Sequence, residues 1–269
     1  MRWICPSGAS ATDILQGMDT STRPSPGASA RPDGNETVTG SGGIAAIVLA
    51  AGASTRLGEG RSKQLLRYQG RTLLRHSLEQ ALASSCRPVV VVLGAEVERC
   101  QRELEGLDVR VTINPAWAEG MGSSIRAGMT ALTAAAPDAR AVVITLCDQP
   151  LVGAAFIDRL VERYQAEAEE SGRADESGTA DPEAAPTVAA EYEGRPGVPA
   201  LFPRSRFAEL SRLDGAAGAR HLLRAAAAAP AARATSATSA SGASRVVTLP
   251  CPEAAVDVDT ITDYEALPQ

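Results

Sequence analysis

The stretch IAAIVLAAGASTRLGEGRSK, Ile44–Lys63, joins two contrasting kinds of sequence. Its first seven residues are continuously apolar, which is the pattern of a strand covered on both faces rather than one. The rest is glycine and small residues carrying Arg56, Arg61 and Lys63. A buried strand that opens into a cation-bearing loop predicts an α/β sheet whose ligand lies beyond the carboxyl ends of the strands.

The alternation continues outward from this stretch. TLLRHSLEQALASS has helical spacing, PVVVVLG reads as a second buried strand and EVERCQRELEGL as a helix. VRVTINP is a third strand, followed by a helix over SSIRAGMTALTAA with Ser123 or Ser124 as N-cap. AVVITLCDQP is a fourth buried strand and AAFIDRLVERYQ a helix. Further on, TVAAEYEG, VPALF and RVVTLP read as strands, SRFAELSRL and ARHLLRAAAA as helical, and TDYEAL begins a terminal helix. Repeated strand–helix units imply a three-layer, Rossmann-like α/β fold with a mostly parallel central sheet.

Around this domain, read as residues 43–269, the composition is polar. Residues 1–42 are rich in Gly, Ser, Thr and Pro and read as a disordered leader, while segments near 166–186 and 225–244 read as low-complexity insertions. The chain has 269 residues and is 44% hydrophobic, enough for a sizeable core. Its net charge is -6 with no basic tract, which argues against nucleic-acid or anionic-membrane partners. The five cysteines are widely spaced without a CxxC, so a disulfide framework or zinc site is not expected and a reducing cytoplasm fits. No apolar run approaches the length of a membrane span.

If the first four strands are doubly wound, strands one and four are neighbours at the point where the strand order reverses. The loop after strand one, Ala50–Lys63, and the loop beginning Cys147-Asp148-Gln149 then face one crevice. Gly52 permits a tight turn and close backbone approach, and exposed N–H groups there can hold anionic oxygens. Arg56 and Lys63 add positive charge, so the loop reads as a polyphosphate site. It matches neither G-x-x-x-x-G-K-[ST] nor G-x-G-x-x-G. Asp148, ending an apolar strand, is placed to hold Mg²⁺, although an Asp there also caps helices. His76 and His221 sit in helical patterns and read as structural, and Cys147 as a buried small residue.

LAAGASTRLG…K resembles the signature of the MobA-like nucleotidyltransferases. NPAWAEGMGSSIRAG, LCDQP, GVPALF, GAAGARHLL and DVDTITDY resemble later blocks of that family in the same order, over about residues 44–267. Within it the chain most resembles the molybdenum cofactor cytidylyltransferases, where LAAG goes with CTP; Ala51 therefore implies CTP. The resemblance implies transfer of CMP from CTP to the phosphate of a molybdopterin-type cofactor, with Mg²⁺ and release of pyrophosphate. It also implies a molybdenum hydroxylase partner such as a xanthine dehydrogenase-like enzyme.

On this reading Leu49, Ala50, Ala51, Gly52, Ser54 and Gly58 line the nucleotide. Arg56 and Lys63 neutralise the leaving pyrophosphate, and Asp148 binds Mg²⁺ with Asp257 or Asp259 as a second metal contact. Gly120, Gly122, Ser123 and Ser124 lie near the base or acceptor, and Gly197 and Pro199 shape the pterin pocket. Three departures stand out. Gly58 to Lys63 is two residues longer than usual, GAAGAR lacks the Asp of GD.GAR, and Val198 stands where the cytidylyl branch often has His. Other readings are nucleotidyl transfer to another phosphorylated acceptor, guanylyl transfer to molybdopterin, a non-catalytic cofactor carrier, or a redox role that the missing G-x-G-x-x-G disfavours.

Overall fold

Ile44–Ala50 forms strand β1 and is buried along its whole length, as its unbroken apolar run requires. The structure, a computed structural model, describes residues 42–58, 60–173, 185–215, 218–219, 222–223 and 245–268. The expected leader (to residue 41) and the expected insertion at 225–244 lie outside the described residues.

Next come a two-residue hairpin, β2 Arg67–Tyr68 and β3 Arg71–Thr72, then α1 Leu73–Ala83, β4 Val89–Leu93, α2 Val97–Arg102 and β5 Arg110–Ile113. They are followed by α3 Met121–Ala135, β6 Ala141–Leu146, α4 Ala154–Arg173, β7 Thr187–Tyr192 and β8 Arg195–Pro203. The short α5 Phe207–Leu210, β9 Val246–Pro250 and a terminal helix Ile261–Glu265 follow.

The seven-stranded sheet has the order β5-β4-β1-β6-β8-β7-β9. β1 lies parallel between β4 and β6, so the reversal of strand order falls between β1 and β6. β8 runs antiparallel to both β6 and β7, while β9 is parallel to β7. β7 and β8 join through Glu193 (φ 51°) and Gly194 (φ 69°), the paired positive φ of a tight two-residue hairpin turn.

The strand pleat sends alternate residues of β1 into two cores. Ala46 and Val48 meet Leu74, Leu78, Ile157 and Leu160 from α1 and α4. Ala45 and Ile47 meet Ile125, Met129 and Leu132 from α3. These two faces and the sheet are the three layers.

α3 approaches the sheet over Gly128, where an added Cβ would fall 2.9 Å from Ile47 Cγ2 and 3.0 Å from Val92 Cγ2. Gly128→Leu is therefore expected to lift α3 from β1 and β4 and cost about 1–3 kcal/mol. A lowered midpoint in thermal or urea unfolding would show it.

Two expectations change. The polar segment expected as an insertion from Ala166 begins as helix, because α4 continues to Arg173. Its Glu167 is buried and paired with Arg163 and Arg245, so this polar stretch still presents one face to the protein. α3 starts at Met121 with Gly120 (φ 117°) as its cap, rather than being capped by Ser123 or Ser124.

Candidate active site

The loop after β1 is held open by Gln64, which is only 1% exposed. Its Nε2 donates to the carbonyls of Ala50 (3.2 Å) and Gly52 (2.6 Å). Its Oε1 accepts from the hydroxyls of Ser62 (2.5 Å) and Ser54 (3.1 Å). Ser54 takes the left-handed conformation (φ 57°), and its Oγ accepts from the Lys63 backbone N–H at 2.8 Å. The loop is thus a pinned arc. Gln64→Ala is expected to cost about 1–3 kcal/mol, since two carbonyls and two serine hydroxyls lose a buried partner. Thermal unfolding checks this.

Asp148 follows β6 on the neighbouring strand. Its carbonyl accepts from Val258 N–H at 2.9 Å, which ties the C-terminal segment to the site. Lys63 pairs with Asp148 and with Asp259, at 3.0 Å from Asp259 Oδ1, and Arg56 pairs with the other Asp259 oxygen. The Lys63 and Asp148 side chains are 16% and 13% exposed, so the pair is largely sheltered. Burial opposes the Lys63 charge, but Asp148 and Asp259 outweigh it and hold the ammonium above its ordinary lysine value. Asp148 Oδ1 is buried with no hydrogen-bond partner.

Asp257 is exposed, and its carboxyl is pushed up by desolvation and then by the charges of Asp259 and Asp148. Cys147 is fully buried; burial and then Asp148 raise its thiol well above its ordinary value, so it stays protonated. No group of three or more His, Cys, Asp or Glu suited to a metal occurs among the described residues. Two carboxylates converging on one cation, with one oxygen unpartnered, nevertheless suit Mg²⁺, which usually takes one or two carboxylates and completes its shell with water and phosphate.

The opposite wall is the entry to α3. Asn114 Nδ2 donates to Ser123 Oγ (2.8 Å) and Ser124 Oγ (3.0 Å), and Ser123 Oγ donates to the carbonyls of Ala116 and Gly120. Gly122 N–H donates to Gly215 O at 3.0 Å, bringing the GAAGAR segment against this turn. Its Ala216, Ala217 and Arg220 lie outside the described residues.

Between the walls is a cleft of about 630 Å³. Leu49, Ala50, Ala51, Gly52, Arg56 and Lys63 line it from the β1 side, Asp148 from β6, and Gly120 and Ser124 from α3. Ser54, Gly58, Gly122, Ser123, Asp257 and Asp259 stand around that lining rather than in it. Gly197 and Pro199 lie in β8, where a Cβ on Gly197 would fall 2.3 Å from the Tyr192 hydroxyl. They are not part of the cleft lining; Val198 between them accepts from Nε2 of Gln149, the residue after Asp148, at 3.2 Å. His76 Nε2 lies 3.0 Å from Pro150 O, with its ring edge-on to Tyr68.

Gln64 and Trp117, which line the cleft, and Asn114 were given no role from the sequence. Gln64 and Asn114 are ordinary polar residues whose burial distinguishes them, although Asn114 opens the NPAWAEGMGSSIRAG block. Trp117 sits inside the NPAWAEGMGSS block, between Pro115 and Gly120, so an aromatic flanked by two loop signals was available.

The profile of the MobA-like NTP transferase domain matches residues 46–231, well over half of the chain. A nicotine blue oxidoreductase from Paenarthrobacter nicotinovorans is 37% identical over 122 residues, 45% of this chain and 57% of that protein. The bifunctional protein GlmU of Bifidobacterium longum is 33% identical over 123 residues, 45% of this chain and 27% of that protein. The chain therefore spans only part of these relatives. The crystal structure of Rv0371c from Mycobacterium tuberculosis superposes with a TM-score of 0.59 at 26% identity, covering 84% of this chain and 97% of that one.

Proposed function

The chain belongs to the MobA-like NTP transferase family, and from that premise we propose that it transfers CMP from CTP to the phosphate of a molybdopterin-type cofactor and releases pyrophosphate. The observation that carries this reading is the convergence of Lys63, Arg56, Asp148 and Asp259 at the end of β1 and β6. An oxygen of the acceptor phosphate attacks the α-phosphorus, and the bond from that phosphorus to the bridging β-oxygen breaks. The nucleophile is already ionised near neutral pH, so no strong general base is needed; the barrier is charge repulsion and positioning.

The pinned arc at Ala50–Gly52 offers backbone groups to the triphosphate. Lys63 and Arg56 exchange their carboxylate partners for oxygens of the departing pyrophosphate. Mg²⁺ held by Asp148 and Asp259 would supply positive charge against the same oxygens. Ala51 supports CTP through the family resemblance alone. The product would pass to a molybdenum hydroxylase such as a xanthine dehydrogenase-like enzyme.

Mass spectrometry after incubation with CTP, Mg²⁺ and molybdopterin cofactor is expected to show the CMP adduct. A nucleotidylated sugar phosphate instead would move the acceptor toward other transferases. The similarity to nicotine blue oxidoreductase favours a second reading, a redox enzyme. Consumption of a nicotinamide cofactor without any nucleotide adduct would establish that one; the β1 loop, which lacks G-x-G-x-x-G, opposes it.

A further inference from the structure

The cleft lining is of two chemical kinds. Arg56, Lys63 and Asp148 are charged, while Trp117, Ala118 and Met121 are apolar. Met121 is 41% exposed, one of three large apolar side chains so exposed among the described residues. Trp117 is half-buried, packing on the core beneath α3 while still lining the cleft. Apolar side chains lining a cleft beside a few charged groups are what a small-molecule site offers a ligand with an apolar face.

The wall is built in advance of any ligand. Trp117–Glu119 is a single helical turn closed by Gly120 N–H donating to Trp117 O at 3.1 Å. Behind it lies Gly94, where an added Cβ would fall 2.6 Å from both Trp117 Cβ and Ala51 O. Glu119 is tied to Arg126 at 3.0 Å, and Arg126 also donates to Leu213 O. Gly218 packs under Met121, with room for no Cβ farther than 2.9 Å from its sulfur.

We propose that Trp117 is the stacking platform for the nucleobase, with Met121 closing the far edge, so that a nucleotide lies across the cleft with its base on Trp117 and its phosphates at Lys63. This rests on the nucleotidyltransferase reading and adds a residue and an orientation to it. A planar heterocycle linked to a polyphosphate offers a face to the apolar lining and charge to the basic one. Stacking on an aromatic ring is tolerant of sequence because every base has a π-face. Trp117 therefore supplies affinity but not base identity, which falls to edge contacts.

The chain has two tryptophans, so Trp3→Phe leaves Trp117 as the only one. In that background CTP, CMP and pyrophosphate are titrated with Mg²⁺, following Trp fluorescence and calorimetry together. CTP and CMP are expected to quench, and pyrophosphate to bind without quenching. Trp117→Leu is expected to weaken CTP and GTP alike by about tenfold or more, leaving pyrophosphate within about twofold, while Trp117→Phe keeps most of the affinity. CTP that binds without quenching overturns the proposal, as does a Trp117→Leu variant that folds and binds CTP unchanged. Equal quenching by pyrophosphate would also overturn it, because Trp117 would then report the phosphate loop. Quenching by the molybdopterin cofactor but not CTP assigns the wall to the acceptor and overturns it too. If neither CTP nor pyrophosphate binds, the transferase reading itself fails.

Discussion

Asp148→Ala is expected to lower CTP-dependent pyrophosphate release by about 10²–10³-fold while the protein remains folded. The carboxylate sits where β6 ends beside β1, and its backbone is fixed independently by Val258 N–H. Removing the side chain therefore deletes charge at the site without freeing the chain around it. Asp148→Asn keeps the size and can still accept from Lys63, yet cannot offer a charged oxygen to a divalent cation. Both variants should fail together, and raising Mg²⁺ should recover Asn only partly. Pyrophosphate release across a Mg²⁺ series measures this. An Asn variant with near wild-type turnover would remove Asp148 from the chemistry.

Lys63→Ala has the second large effect, because it removes two things at once. The phosphates lose a sheltered cation, and Asp148 and Asp259 are left facing each other without their bridge. Stripping one partner from a buried ion pair is costly; with Asp259 partly exposed, a loss of up to about 3 kcal/mol in stability is expected. Turnover should fall by about 10²-fold or more. Added Mg²⁺ should raise the melting temperature of this variant more than that of wild type, since one cation replaces another.

The pH dependence has a definite sign. Lys63 is held above its ordinary value, so its stabilising charge is fully present below the ordinary lysine range and is lost only as pH rises through the higher folded value. Stability and activity lost on raising pH from 7 to about 9 therefore cannot come from Lys63, whose unfolded value is about 10.4. Thermal melts of wild type and Lys63→Ala over that interval should stay a constant distance apart.

Much of the crevice was legible because it follows from strand burial. The apolar runs at Ile44–Ala50 and Ala141–Leu146 mark doubly covered strands, and their adjacency brings the Lys63 and Asp148 loops together. The reversal of β8 was not legible, since its apolar pattern is the same in either direction and only the positive φ at Glu193 and Gly194 sets it. The two-residue strands β2 and β3 are too short for any period to show. Ser123 and Ser124 looked like caps from their residue type, yet Gly120 caps α3 and their hydroxyl oxygens accept from Asn114 Nδ2. Gln64 was hidden for the same reason: a long-range hydrogen-bonding role leaves no local pattern. The ion pairs of Lys63 and Arg56 with Asp259 span about 200 positions of sequence, which no local spacing encodes.

The most direct test of cytidylyl transfer is pyrophosphate release by the whole chain with Mg²⁺, molybdopterin cofactor and each of CTP, GTP, ATP and UTP in turn. Release with CTP, and little with the other three, is the predicted result. Release with GTP in preference to CTP would contradict the base assignment drawn from Ala51, and no release with any nucleotide would contradict transfer to molybdopterin.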